Sequence, residues 1–295
     1  DTKDRLWNTI QHLQEINGLK QEVEQLRKEV GRKSDFSKTM IGNSDSMQKV
    51  FSMIEKAVQT NISVSIYGET GSGKEMVAKA IHYNSDRKDA PFIPVNCAAI
   101  PEQLLESELF GHMRGAFTDA KMDKRGLFEE AQKGSLFLDE ISELPLMLQA
   151  KILRAIQEKE IRRVGANKPI SVDVRIIAAT NLNLTEEVKN KRFREDLYYR
   201  LNVIELKLPP LRERREDIPL LVEAFLKKCG EARGKEVKGV SEATLAMLMD
   251  YVWPGNVREL ENVIERAVTL SRSERISPDD LPAAVQGARG DRRVL

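Results

Sequence analysis

The sequence predicts an α/β protein: a parallel sheet flanked by helices, then a smaller all-helical lid, with a helical linker in front. Three observations carry this. Between residues 39 and 208, short apolar runs alternate with helical stretches, the pattern of a parallel sheet with helices on its faces. Beyond Pro209 and Pro210 the apolar runs stop and helical periodicity takes over. Ahead of residue 37, one amphipathic pattern runs almost unbroken.

In the first segment, residues 1–36, Leu6, Ile10 and Leu13 and then Leu19, Val23, Leu26 and Val30 follow steps of three and four with charges between them. The step breaks between Ile16 and Gly18, so the segment reads as an interrupted coiled coil. It is either a helix lying on its own domain or a dimerising linker from an upstream sensory domain. Residues 37–208 form the α/β core. Its expected strands are 62–67, 92–95, 135–138, 175–179 and 203–206, with a β-hairpin over 160–171 that turns between Gly165 and Pro169. The lid, residues 209–282, is expected to hold helices over 217–229, 241–251 and 256–270. The last should be opened by Asn256 with Glu259 three residues on. Ser277 reads as the cap of a final short helix, and residues 283–295 as a disordered tail.

Composition narrows the function. Of 295 residues, 41% are apolar, enough for real cores, and 47 basic against 46 acidic residues leave a net charge of +1. That balance is no electrostatic footprint for nucleic acid. Too few residues follow Leu281 for a helix-turn-helix, so direct DNA binding by this chain is not expected. Cys97 and Cys229 make neither a metal spacing nor a disulfide framework, and His12, His82 and His112 are scattered. No apolar run approaches about 18 residues and no signal-peptide pattern opens the chain, which points to a cytoplasmic protein without a membrane span. Opening on Asp1, the chain reads as a fragment of a longer one.

The chemistry is concentrated in two places. Gly68, Glu69, Thr70, Gly71, Ser72, Gly73 and Lys74 follow an expected strand and open an expected helix. In that setting a Gly-rich loop can wrap a phosphate with backbone N–H groups, the helix N-terminus adds its positive end, and Lys74 reaches the outer phosphates. Glu75 stands where P-loops in general place a Ser or Thr on Mg²⁺. The metal must then lean on other groups and water. Asp139 and Glu140 end the apolar run 135–138, at the strand end where open α/β sheets bind ligands. Asp139 is placed to hold Mg²⁺, mostly through water, and Glu140 to orient the attacking water. The second place is Gly115-Ala-Phe-Thr-Asp-Ala120, between the loop and the acidic strand end. ATP hydrolysis needs no such segment; it makes sense if the chemistry moves something, with Phe117 at the contact.

These residues resemble the AAA+ ATPases, and within them the bacterial enhancer-binding proteins that activate sigma-54 RNA polymerase. The resemblance runs from about Ile41 to Leu281. It rests on 68–75, on 111–120, on Phe193-Arg-Glu-Asp-Leu-Tyr-Tyr-Arg-Leu201 and on Trp253-Pro-Gly-Asn-Val-Arg-Glu-Leu260, in family order. It implies an ATP- and Mg²⁺-dependent ATPase whose active site is shared between subunits of a homo-oligomeric ring, a hexamer or heptamer, with a dimer as an inactive state. Asn181 matches the sensor of the γ-phosphate, Arg194 and Arg200 the arginine fingers, and Arg258 the second sensor in the lid. Asn96 matches the residue that restrains the catalytic glutamate. Residues 68–75, Ile41 and Arg258 make up the implied nucleotide site. Phe117 and Thr118 match the sigma-54 contact, and the hairpin around 162–168 its supporting insertion. Where the family usually has Gly, Asp119 removes backbone freedom and adds a charge. The competing readings are an AAA+ ATPase of another remodelling class and a nucleotide-binding signalling module whose sigma-54 contact Asp119 has weakened.

Overall fold

The computed structural model describes residues 40–233, 237–271 and 273–287. The expected linker helix lies outside the described residues, as does the expected disordered tail from residue 288 onward. The first part of that tail, 283–287, is ordered instead, because Ala283–Gln286 is helical and buries Val285 against the lid core. The described residues from Ile41 onward belong to one compact unit.

Five parallel strands make the central sheet: β1 (Val64–Tyr67), β2 (Phe92–Asn96), β3 (Ser135–Asp139), β4 (Arg175–Thr180) and β5 (Ile204–Lys207), in the order β2-β3-β4-β1-β5. The central strands β3 and β4 are buried almost residue for residue, as a sheet covered on both faces requires. The register sets Asn96 beside Asp139 and Tyr67 beside Thr180. The loops that carry the chemistry therefore leave the sheet along one edge.

Helices cover the sheet for legible reasons. Asp45–Val58 is capped by Ser44, whose side chain accepts from the Met47 N–H, and it buries Met47, Val50, Ile54 and Ala57, a spacing of three and four. Leu146–Glu158 turns Leu148, Ile152 and Leu153 onto the cluster that also holds Leu136, Leu138 and Phe110. Phe110 and Phe128 stack there with centroids 5.3 Å apart. The expected hairpin is present as Glu160–Ile161 paired antiparallel with Ile170–Ser171.

The lid departs from expectation in three details. Its helices run over Ile218–Arg233, Glu242–Asp250 and Asn256–Leu270 around Trp253, which is fully buried and donates its indole N–H to the Leu248 carbonyl at 2.8 Å. The lid is not wholly helical, because Gly239–Val240 pairs in parallel with Arg275–Ile276. Asn256 is also not the cap of the last helix. Gly255 takes that place, Glu259 closes back onto the Gly255 N–H at 2.8 Å, and Asn256 sits at φ +52° with its amide turned toward Glu69 and Thr70. Ser277 and Asp280 do form a capping box, but over a 3₁₀ turn, Pro278–Asp280.

Candidate functional site

The glycine-rich loop leaves β1 and enters the helix Lys74–Tyr83 through Gly71 (φ +77°) and Gly73 (φ +109°). Both angles lie where a side chain is strained, so the chain needs glycine there. Gly68 also needs the space, since a Cβ on it would come within 2.9 Å of the Ser72 hydroxyl. Lys74 is buried, donates to the Gly68 carbonyl at 3.0 Å and lies 3.5 Å from a Glu140 carboxylate oxygen. The structure thus brings the loop lysine and the acidic strand end together.

Asp139 is half-buried at the end of β3. Burial pushes its carboxyl above the usual range, Lys74 pulls the other way, and the neighbouring carboxylate Glu140 adds to the upward shift. Glu140 sits in the left-handed region at φ +52°, an uncommon place for a residue with a Cβ. Asn96 stands one strand over, its side-chain carbonyl accepting from the N–H groups of Ala98 and Ala99 at 3.0 and 3.2 Å. Only its amide N–H₂ is left to reach Glu140. From the end of β4, Asn181 donates to the Thr70 hydroxyl at 3.3 Å. Glu75 is turned away, forming an exposed ion pair with Lys79 at 2.8 Å.

The lid closes over the outer side of the loop. The Arg258 N–H donates to the Gly71 carbonyl at 3.3 Å, and a Cβ on Gly71 would lie 2.3 Å from the Gly255 carbonyl oxygen. The Arg258 side chain is exposed, and Ile41 packs against the lid core. Arg212 grips Glu69 with both guanidinium nitrogens at 2.8 and 2.6 Å, and the Asn256 amide donates to Glu69 and to the Thr70 carbonyl, each at 3.1 Å. Held this way, the Glu69 carboxyl is brought down to about 2, chiefly by Arg212 and then Asn256. Arg214, buried, donates to the Ser72 carbonyl at 3.0 Å. The sequence pattern assigns Arg212 and Arg214 no role and marks Asn256 only as a helix start, because the partners of all three lie more than 140 residues away.

The two arginines six apart differ in state. Arg194 precedes the helix Glu195–Leu201 and is clamped by Asp196 at 3.0 and 2.7 Å. Arg200 is exposed in the last turn and has no ion pair among the described residues.

The segment 115–120 follows the helix Glu102–Phe110. It is closed by the Gly115 N–H to the Ala120 carbonyl at 2.8 Å, with Ala120 buried and Thr118 and Asp119 exposed. Phe117 is 39% exposed and rests edge-on against the His112 ring, centroids 5.0 Å apart. His112 is steadied by Ser107 at 2.7 Å. Gly115 carries the positive φ; Asp119 does not adopt one, so its departure from Gly adds charge at the tip without backbone strain. The hairpin backs this segment: Met113 donates to the Val164 carbonyl at 3.0 Å, Val164 to Gly111 at 2.9 Å, and Arg163 clamps Glu129 at 2.8 and 2.7 Å.

The model of the Sigma-54 interaction domain matches residues 40–207, and that of the AAA+ ATPase lid domain residues 212–294. Transcriptional regulatory protein ZraR of Salmonella typhimurium is 53% identical over 246 residues, 83% of this chain and 56% of that protein. Regulatory protein AtoC of Escherichia coli is 48% identical over 283 residues, 96% of this chain and 61% of that protein. The chain therefore spans somewhat over half the length of these relatives. The crystal structure of NtrX from Brucella abortus in complex with ATP superposes with a TM-score of 0.79 at 40% identity, over 90% of this chain and 58% of that one. Among the described residues, no helix is long and apolar enough to cross a membrane. With both its core and its lid matched in order, the chain belongs to the Sigma-54 interaction domain family of AAA+ ATPases.

Proposed function

We propose that this chain hydrolyses ATP in an oligomeric ring and uses the cycle to move the Phe117 loop against sigma-54, remodelling the closed polymerase–promoter complex. The observation that carries this is positional. The exposed Phe117 segment stands at the far end of the helix Glu102–Phe110, and the turn leading into that helix is held by Asn96, the strand neighbour of Asp139. A change at the acidic strand end has a short route to the loop, across one strand pairing and along one helix.

In this reading the 68–74 loop holds the phosphates with Lys74, Asn181 reads the γ-phosphate from the Thr70 side, and Glu140 polarises the attacking water. The acidic strand end fits Mg²⁺, because a cation beside Asp139 relieves the burial and like-charge repulsion that raise its carboxyl. With Glu75 turned away, Asp139 and water would hold the metal, which neutralises charge on the phosphate oxygens when bound. Arg200, without an ion pair among the described residues, is placed to enter a neighbour's site; Arg194 must first leave Asp196. Asn96, with its carbonyl committed to the turn, would engage Glu140 as a donor.

The test is complex formation with sigma-54 in the presence of a transition-state mimic of ATP. Phe117→Ala should abolish the complex while ATP turnover continues, and a retained complex would remove Phe117 from the contact. Arg200→Ala should suppress turnover with nucleotide affinity largely kept. Full activity in a dilute monomer would contradict a shared site.

A further inference from the structure

The lid grips the glycine-rich loop from behind at four consecutive residues. Glu69 gives its carboxylate to Arg212 and Asn256, and the Thr70, Gly71 and Ser72 carbonyls accept from the Asn256 amide, the Arg258 N–H and the Arg214 guanidinium. In a planar trans peptide, a carbonyl and the following N–H point to opposite sides. Pulling the Thr70 and Ser72 carbonyls outward therefore turns the Gly71 and Gly73 N–H groups inward. Neither donates to a backbone carbonyl among the described residues, whereas the Ser72 N–H between them closes a turn onto Glu69 at 3.2 Å. Inward N–H groups without a protein partner are what an anion cradle needs.

We propose that Arg212 and Asn256 are positioning residues for phosphate binding. From outside the loop they hold the Thr70 carbonyl away from the cradle, so that a docked lid is a condition of tight phosphate binding. Arg212 acts at one remove: it fixes Glu69, and Glu69 orients the Asn256 amide that holds the Thr70 carbonyl. Asn256 is suited to this because it is fully buried at the entry to the last lid helix and also accepts from the Leu211 N–H at 2.8 Å. It thereby ties the lid helix, the Pro210 junction and the loop together through one side chain. Lid docking and nucleotide binding then favour each other, since a partner that stabilises one state must be stabilised by it in return. The inference rests on the nucleotide reading above.

The experiment measures equilibrium binding of ATP, ADP and adenosine to the whole chain with Mg²⁺ present. Losing a hydrogen bond to a charged group corresponds to roughly 10- to 100-fold in affinity. Asn256→Ala and Arg212→Gln should each weaken ATP and ADP by about 10-fold or more on that scale and leave adenosine as it was. Glu69→Gln combined with Arg212→Gln should recover part of the loss, because the neutral pair can still hydrogen-bond. Arg212 is partly exposed, so Arg212→Gln remains informative if Asn256→Ala does not fold. Equal losses for all three ligands, or undiminished preference for phosphates in the variants, would overturn the positioning role alone. A wild-type chain that gains nothing from the phosphates of ATP would overturn the nucleotide reading and this inference with it.

Discussion

Glu140 holds a left-handed backbone, φ +52° and ψ +50°, at the turn out of β3. A residue with a Cβ loses about 1–2 kcal/mol there relative to the right-handed region. Replacing it by Ala or by Gly removes the same carboxylate and the same 3.5 Å contact with Lys74. The difference between the two variants therefore isolates the backbone. At an ordinary site Ala is more stable than Gly by about 0.5–1 kcal/mol, through the smaller entropy of its unfolded chain. Here relief of the left-handed strain opposes and exceeds that term, so Glu140→Gly should be more stable than Glu140→Ala by about 0.5–1 kcal/mol. The order of the two is reversed. Urea unfolding followed by circular dichroism reads the difference as a shift in midpoint, and thermal melts should separate the variants by about 1–4 °C. Both variants should lose ATP hydrolysis. Glu140→Ala matching or exceeding Glu140→Gly in stability would refute the claim that strain is stored at the proposed catalytic residue.

Two further outcomes follow from the charges. Glu69 is held near 2, well below its ordinary value, so its contribution to lid docking is fully present above about pH 4.5 and is lost as the pH falls toward 2. Melts of the wild type and of Glu69→Gln should differ at neutral pH and converge under acid; a constant gap would show that Glu69 does not carry the effect. Asp196→Asn frees the Arg194 guanidinium from its bidentate partner, and if Arg194 acts across the subunit boundary the variant should reach half-maximal ATPase activity at a lower protein concentration. A concentration profile that does not move would assign Arg194 to its own subunit.

The sheet was legible because its signals are local. Buried parallel strands read as apolar runs, and the strand–Gly-loop–lysine order fixes a turn into a helix whatever surrounds it. The acidic end was legible for the same reason, as Asp139 and Glu140 are the next residues after the apolar run. What could not be read is what distant segments do to one another. Asn256 carries a capping signal, and from its neighbours alone it belongs to a helix start. Glu69, 187 residues earlier, takes its amide, and Gly255 is left as the cap. Arg212 and Arg214 look like parts of one charged run, yet one grips Glu69 at the surface and the other is buried under Ser72. Asp119 misled in the opposite direction. A lost glycine there implied a loss of backbone freedom, but the loop places its positive φ at Gly115.

The support given to the Phe117 loop by the hairpin can be separated from the ATPase. Arg163 and Glu129 form a bidentate pair whose side chains are 18% and 12% exposed, and Arg163 holds the Glu129 carboxyl below its usual range. Charged, forked and mostly shielded, such a pair loses about 1–3 kcal/mol when one partner is neutralised, because the other charge is left under-bonded. Glu129→Gln leaves the Lys74, Asp139 and Glu140 cluster untouched. Its effect must travel through Arg163 to Val164, whose backbone pairs with Gly111 and Met113 at the root of the loop, and to Gly165, packed against Ala116. If the hairpin sets the height of the loop, Glu129→Gln should weaken trapped-state sigma-54 binding by roughly 10-fold, the equivalent of about 1.4 kcal/mol, at wild-type ATP turnover. Equal falls in turnover and binding would mean that the pair serves the core as a whole, and unchanged binding would mean that the loop holds its position without the hairpin.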